Sequence, residues 1–255
     1  MNRLARFFAI HSGEGRTTAL LTFLMFLHFA GLYIGAPGIE SLFLVRFGFE
    51  FLPYMFVSLG GVIAAVTILI STLTRRIPNH ILYRILPFTL AAAVGTGRFL
   101  IRFDLPWLYP VLFLCIYIFW TIQNLFAWGT AGMVYDTRQA KRLFPLLGAG
   151  GILGSAVGGL VTRPLVPLIG AANLMVVWAG SLAAAGVIGL AVGFGAQSLV
   201  KDIISGTFIL LADQIRIGDV VEIAGKAGVV EGLNLRMVTL RDLAGNVHFI
   251  PNGEI

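Results

Sequence analysis

Long runs of hydrophobic residues fill the first 210 positions, and short loops rich in proline, glycine and charge separate them. A helix needs about 20 apolar residues to cross the hydrocarbon core of a bilayer. Six stretches come close to that length or exceed it: residues 17–35, 51–73, 81–101, 107–130, 143–161 and 171–199. The pattern predicts a bundle of six transmembrane helices, with loops that include APGIE at 36–40 and VTRPLVP at 161–167.

The hydrophobic pattern changes after Asp213, where short β-branched runs that partly alternate replace the long apolar ones. These runs predict four strands, at residues 220–223, 229–235, 237–240 and 247–250. Turn residues separate them, at Gly218, Gly225, Gly228 and 244–246. We expect a small β-barrel or sandwich. About 40 residues seldom form a stable core alone, so we expect that neighbouring subunits complete it or that the chain is shortened.

Composition and charge support a membrane location. The chain is 58% hydrophobic and 12% charged, whereas a soluble domain is about 25% charged. The net charge is +6, but four basic and six acidic residues follow position 212. The basic excess therefore belongs to the hydrophobic part, where loop charges set topology. We predict no nucleic-acid partner, and the distribution of Lys and Arg places both termini in the cytoplasm.

The junction between the two parts carries specific motifs. GLAVGFGAQSLVKDIISG occupies 189–206 and is followed by RIGDVVEI at 216–223 and IPNG at 250–253. In this order, residues 184–255 resemble the pore helix and β domain of the small-conductance mechanosensitive channel family. The resemblance implies a cytoplasmic Sm-like β domain and a homo-oligomer, typically a heptamer. In that family a further α/β domain normally follows, so we expect the β domain to be incomplete.

The first part resembles a different family. The segments at 40–56 and 136–159 make residues 17–177 similar to one six-helix half of a major facilitator-type transporter, in the branch of ATP/ADP translocases. The mechanosensitive family usually places fewer, unrelated helices before its pore helix. We therefore predict a fusion of three segments: a five-helix transporter-like anchor at 1–170, a pore-lining helix with an amphipathic extension at 171–213, and the β domain at 214–255.

The sixth helix carries the candidate functional residues. Leu190 and Phe194 are four residues apart and share one helix face. By periodicity they could face lipid or another helix, but the family resemblance implies that they face the pore. Two rings of apolar side chains would dewet a narrow channel. The glycines of this helix would let copies pack closely around an axis; they are Gly186, Gly189, Gly193 and Gly195.

The sixth stretch is longer than one membrane crossing. Its 29 residues would span about 43 Å as one helix, against about 30 Å of hydrocarbon. We predict a break or kink at Gln197-Ser198 or at Gly206. Beyond it, apolar residues form one stripe with Lys201 and Asp202 opposite, which predicts a helix along the membrane interface. A core helix that joins two domains remains an alternative. The stripe comprises Val200, Ile203, Ile204, Thr207, Phe208 and Leu211.

Two further motifs admit a nucleotide-binding interpretation. GAGGILGSAVGG lacks the glycine spacing and the preceding strand of a phosphate loop. Gly150, Gly154 and Gly158 instead repeat every four residues, which predicts helix packing. DTRQAKR could bind phosphates if the transporter resemblance carried function, through Arg138, Lys141 and Arg142. We prefer a basic loop that caps two helices.

The sequence contains no nucleophile–base pair, carboxylate dyad or histidine spacing typical of a metal site. We therefore predict no enzyme, cofactor or metal. The favoured function is a tension-opened channel in a bacterial-type inner (plasma) membrane, in contact with the lipid bilayer and passing ions and small osmolytes with little selectivity. The alternatives are a major facilitator-like half that transports nucleotides and a non-conducting membrane scaffold.

Overall fold

A computed structural model of the chain describes residue 11, residues 14–76 and residues 79–255, except for the side chains at 73–76, 79–80 and 195–200. The chain forms two compact units that divide between Gly193 and Phe194. The predicted three-way division at residues 170 and 213 stays a prediction.

Helices account for most of the first unit. The described residues contain α1 (Gly15–Phe47), α2 (Leu52–Arg76), α3 (Asn79–Leu100), α4 (Leu108–Val134), α5 (Thr137–Ile169) and α6 (Leu174–Leu211). Short 3-10 turns precede α2 and α6. All six helices are long and apolar enough to cross a membrane, as the hydrophobic pattern predicted. The chain is a multi-pass membrane protein.

The glycine repeat of α5 packs directly against the backbone of α1. A side chain at Gly150, Gly154 or Gly158 would collide with a main-chain carbonyl of α1. Small residues let helix backbones approach closely in lipid, where no hydrophobic effect drives helices together. The predicted packing role of this repeat is confirmed. The three carbonyls belong, in the same order, to Thr22, Phe26 and Ala30.

Helix α1 continues well beyond the loop that the sequence predicted at 36–40. Pro37 lies inside the helix and cannot donate a hydrogen bond to the carbonyl of Tyr33, four residues earlier. The Thr162 hydroxyl of α5 donates to that carbonyl at 3.0 Å. The predicted loop was therefore wrong, because a neighbouring helix satisfies the freed group. Helix α5 likewise contains Pro164 and Pro167, within the loop predicted at 161–167.

In the second unit, four strands form one antiparallel sheet in the order β1-β2-β3-β4. They are β1 (Val220–Ile223), β2 (Lys226–Leu233), β3 (Met237–Arg241) and β4 (Val247–Pro251). The register pairs Val221 with Gly228, Val230 with Leu240 and Val238 with Ile250, with a bulge between Val230 and Gly232. The predicted strands are confirmed, with ends that differ by up to three residues.

One face of this sheet holds a small apolar core of Ile223, Val230, Val238, Leu240 and Ile250. Positive φ angles at Gly218, Gly225 and Gly245 shape three turns that the sequence predicted. The sheet is an open meander, so the expected barrel or sandwich is not formed within this chain. Four strands are too few to close on themselves around a packed interior.

Candidate pore helix and its contact with the sheet

The first stretch of α6, Leu174–Gly193, has one side buried within the helical unit. Leu174, Met175, Trp178, Leu182 and Ala185 are fully buried there. The opposite side is exposed along the length of the stretch and carries mostly small side chains. Its members recur every three or four residues and are Val176, Gly180, Ala184, Val187 and Ala191. The helical unit therefore leaves one narrow, smooth side of α6 uncovered.

The predicted constriction residues lie one helical turn apart at the end of this stretch. Leu190 is half-buried, and Phe194 is 59% exposed. A phenylalanine that is largely uncovered in a single chain can contact lipid, water or another copy.

The predicted packing glycines have different surroundings. A side chain at Gly186 would crowd Pro87 and Phe88 of α3, and one at Gly189 would crowd Phe126 of α4. Both glycines therefore allow close packing within the chain. Gly193 has open space beside it, and the side-chain position of Gly195 lies outside the described residues. A role for the four glycines in packing between copies stays a prediction.

The backbone of α6 is helical from Leu174 to Leu211, through all the predicted hinge positions. The helix is thus not interrupted where a break was predicted, and a bend of its axis stays a prediction. The side chains of Gln197 and Ser198 lie outside those described. Gly206, in contrast, is buried. A side chain at Gly206 would collide with the Leu235 carbonyl and the Asn252 amide.

The second stretch of α6 is held to the sheet by a polar contact as well as by this close approach. The Asp202 carboxylate accepts a hydrogen bond from the Gly253 backbone N–H at 2.9 Å. The stem of Lys201 passes beside the same glycine. Both predicted interfacial residues therefore lie next to the IPNG segment.

Asn252 joins the two segments of the second unit that contact α6. Its side chain is fully buried, and its amide donates to the Asn234 carbonyl at 2.8 Å. Its backbone N–H donates to the Arg236 carbonyl at 2.9 Å. The turn between β2 and β3 and the segment after β4 thus form one surface, on which Gly206 lies.

The apolar stripe of the same stretch points away from this surface. Ile203, Ile204, Phe208 and Leu211 are all exposed, so they do not belong to a core within the second unit. This arrangement fits an amphipathic helix whose apolar side meets lipid or another copy.

The second unit also contains two charged turns. Arg216 forms an ion pair with Asp213, and its hydrogen bond lowers the pKa of that carboxyl. In the turn between β3 and β4, Asp242 accepts hydrogen bonds from the Asn246 side chain, His248 and the Asn246 backbone. These bonds hold the pKa of Asp242 well below its usual range.

The residues of the nucleotide alternative are placed at a helix start. Asp136 caps α5 and forms a capping box with Gln139. Arg142 donates to both carboxylate oxygens of Glu14, at 2.7 and 2.9 Å, while Arg138 and Lys141 are exposed. Asp136 therefore caps one helix, α5, whereas the rest of the predicted loop is the start of that helix. Capping of a second helix and phosphate binding by this segment stay predictions.

The family model for the mechanosensitive ion channel β domain matches residues 198–255. Residues 198–255 are therefore similar to that domain. The matched region begins within α6, so the match covers the helical segment with Asp202 and Gly206 as well as the sheet on which this segment packs.

Three curated proteins illustrate the similarity. The small-conductance mechanosensitive channel of Caldanaerobacter subterraneus subsp. tengcongensis is 54% identical over 74 residues, which is 29% of this chain and 26% of the channel. The moderate conductance mechanosensitive channel YbiO of Escherichia coli is 46% identical over 74 residues, 29% of this chain and 10% of the channel. The uncharacterized MscS family protein YfkC of Bacillus subtilis is 43% identical over 75 residues, 29% of this chain and 27% of that protein.

The similarity has a limited extent. The chain spans about a quarter of the length of the Caldanaerobacter and Bacillus relatives and a tenth of the Escherichia one. The β domain is similar to the corresponding regions of these channels and of the MscS family protein, as its motifs predicted. These matches give no support to the resemblance of residues 17–177 to a transporter half.

Proposed function

We propose that copies of this chain assemble a channel that membrane tension opens and that passes ions and small osmolytes with little selectivity. The match of residues 198–255 to the mechanosensitive channel β domain carries this proposal. Its relatives are named as mechanosensitive channels, and six helices of this chain are able to cross a membrane.

In this proposal α6 lines the pore. The uncovered side of its first stretch carries small residues such as Gly180, Ala184 and Ala191, which suit close packing between copies. Leu190 and Phe194 then form the constriction, because their apolar side chains exclude water from a narrow pore. No acidic or basic side chain lies on α6 between Leu174 and Phe194, in accord with low ion selectivity.

Tension acts on whichever state occupies the larger membrane area, because a stimulus shifts only an equilibrium that it distinguishes. In this proposal part of the second stretch of α6 lies against lipid, which the exposure of Ile203, Ile204 and Phe208 supports. The contacts of Asp202 and Gly206 transmit its movement to the β domain.

The assembly is a homo-oligomer in this proposal, with seven copies as the family resemblance implies. Exposed apolar side chains on the β domain support contacts between copies; they are Val220, Leu243 and Phe249. The chain lies in a bacterial-type inner membrane with both termini on the cytoplasmic side, in accord with the basic loops.

Patch-clamp recording of the full chain in liposomes tests the proposal. Suction on the patch should evoke currents in the wild-type chain. Leu190→Ser and Phe194→Ser should open at lower tension or leak at rest, because a hydroxyl hydrates the constriction.

The matched control is Val57→Ser, at a residue of α2 that is 80% exposed. It should leave the opening tension unchanged. Absence of tension-evoked current in the wild-type chain, or wild-type thresholds in both serine variants of α6, would refute the proposed pore.

A further inference from the structure

A cleft between α1 and α4 lies apart from the candidate pore helix. It has a volume of about 280 Å³ and is bordered by Tyr33, Pro37, Glu40, Tyr117 and Trp120, together with aliphatic side chains. Known ligand pockets for drug-sized molecules are about 300–1,000 Å³, so this cleft suits a small chemical group.

The helix spacing explains how these residues converge. Tyr33, Pro37 and Glu40 recur at intervals of four and three on α1, and Tyr117 and Trp120 are three apart on α4. Residues at these intervals lie on one side of a helix. The Phe56 ring of α2 packs edge-on against one of these residues, Tyr117, with ring centroids 6.2 Å apart.

The lining combines three aromatic rings with one carboxylate. The faces of Tyr and Trp rings attract cations, and aromatic cages bind organic ammonium groups. Within the described ranges, no basic side chain forms an ion pair with Glu40. A single carboxylate among rings also lacks the six or more oxygen ligands that Ca²⁺ or Mg²⁺ requires.

The position along the helices is close to one end of the membrane span. Glu40 lies seven residues, or about 10 Å, before the end of α1 at Phe47. Arg46, Asp104 and the Tyr109 hydroxyl form a polar cluster at that end. An ammonium group on a lipid headgroup or on a solute from the adjacent aqueous phase can reach this depth.

We propose that the cleft binds an organic ammonium group, with Glu40 as its counter-ion and Tyr33, Tyr117 and Trp120 as its aromatic walls. Half of Tyr33 and Trp120 is exposed, at 46% and 47%, so both rings are available to a ligand that enters from outside the bundle. The site is independent of the proposed pore, because none of its residues belongs to α6.

Two binding measurements on the full chain in detergent test the site and identify the source of the ligand. Equilibrium dialysis at constant ionic strength measures choline binding. Native mass spectrometry measures retention of phosphatidylethanolamine against phosphatidylglycerol, which lacks an ammonium group. We expect saturable binding of at least one ammonium ligand. Choline binding alone indicates a free solute, and selective retention of phosphatidylethanolamine indicates a headgroup.

Glu40→Gln should weaken that binding about fivefold or more, because it removes the counter-ion without changing the shape of the side chain. Trp120→Leu should weaken it about 2- to 30-fold, the range that corresponds to one cation–π contact. Glu50→Gln and Trp107→Leu are exposed controls on other segments and should bind like the wild type.

The proposed site would be refuted if choline showed no binding that sodium at the same concentration fails to displace, and if phosphatidylethanolamine were retained no better than phosphatidylglycerol. It would also be overturned if Glu40→Gln and Trp120→Leu bound as tightly as the wild type. If Glu40→Gln lowered the unfolding temperature, Tyr33→Leu would be tested in its place. Wild-type binding by both Tyr33→Leu and Trp120→Leu, each shown to be folded, would then refute the site.

Discussion

Within the helical unit, α5 packs on α1 through three glycines that repeat every four residues, whereas within the second unit α6 packs on the sheet through Gly206 and the carboxylate of Asp202. The first contact repeats one geometry, glycine against a main-chain carbonyl, along two helices. The second is a single close approach, fixed by a hydrogen bond and by the buried Asn252.

The two contacts show that glycine allows close approach in two ways, as a repeated stripe and as a single site. A repeated stripe spreads the contact energy along the interface and stabilises a permanent pair of helices. A single approach with one charge-assisted hydrogen bond is specific in register and can be lost in one step. The second design suits a contact that would change during the proposed opening of the channel, and the first suits a fixed part of the bundle.

The largest effect is expected from Gly154→Leu, at the middle of the α5 stripe. The side chain would collide with the Phe26 backbone, which cannot rotate away. We therefore expect the free energy of unfolding to fall by about 3 kcal/mol or more. Gly159→Leu is the matched control, because Gly159 has open space beside it. Thermal unfolding in detergent, followed by circular dichroism, measures both. Equal unfolding temperatures would mean that the stripe does not hold α1 and α5 together.

A smaller effect is expected from Gly206→Ala. The added methyl meets the Leu235 carbonyl, and we expect the contact to lose about 2 kcal/mol. The Gly253 amide should then exchange its hydrogen faster, by about 30-fold. Gly193→Ala, which has open space, should leave that exchange unchanged. Similar exchange in both variants would contradict a close approach at Gly206.

Asp202→Ala should weaken the same contact by about 1 kcal/mol, since a partly exposed carboxylate contributes less than a buried one. The expected signature is exchange of the Gly253 amide about fivefold faster than in the wild type. Asp202→Asn keeps an acceptor oxygen and should show a smaller change. Wild-type protection in the alanine variant would remove Asp202 from the contact.

The smallest effect concerns the turn between β3 and β4, away from α6. The pKa of Asp242 is lowered in the folded chain by Asn246 and His248. Its stabilising contribution is therefore complete above the unfolded value of about 3.9 and is lost as pH falls below that value. The unfolding temperature of wild type minus that of Asp242→Asn should shrink between pH 5 and pH 2. Protection of the Gly253 amide at pH 7 should not change, and a change would couple this turn to the α6 contact.

The contact that repeats was predictable from sequence, and the contact that does not repeat was not. Gly150, Gly154 and Gly158 have a spacing that indicates one helix face. Asp202 and Gly253 are 51 residues apart, and nothing in their local pattern pairs them. The sequence showed only that the motifs QSLVKDIISG and IPNG occur in the same chain. The hydrogen bond between them is seen only in the structure.

The predicted end of α1 was wrong for a related reason, namely a contact between residues far apart in the sequence. Pro37 predicted a loop because proline removes a backbone donor, but Thr162 from a distant part of the chain satisfies the freed carbonyl. Gly186 and Gly189 were predicted to pack between copies. Within the chain they pack against Pro87, Phe88 and Phe126, on helices that the sequence could not assign to them.

The proposed pore requires that Phe194 faces water when the channel is open. The measurement is tension-evoked current from Phe194→Cys in a Cys115→Ala background, before and after a charged, thiol-reactive reagent is added under tension. The reagent should change the current of Phe194→Cys but not that of Val57→Cys, since Val57 lies on an exposed side of α2. An unchanged current in Phe194→Cys, with the thiol shown by mass spectrometry to be modified, would contradict it.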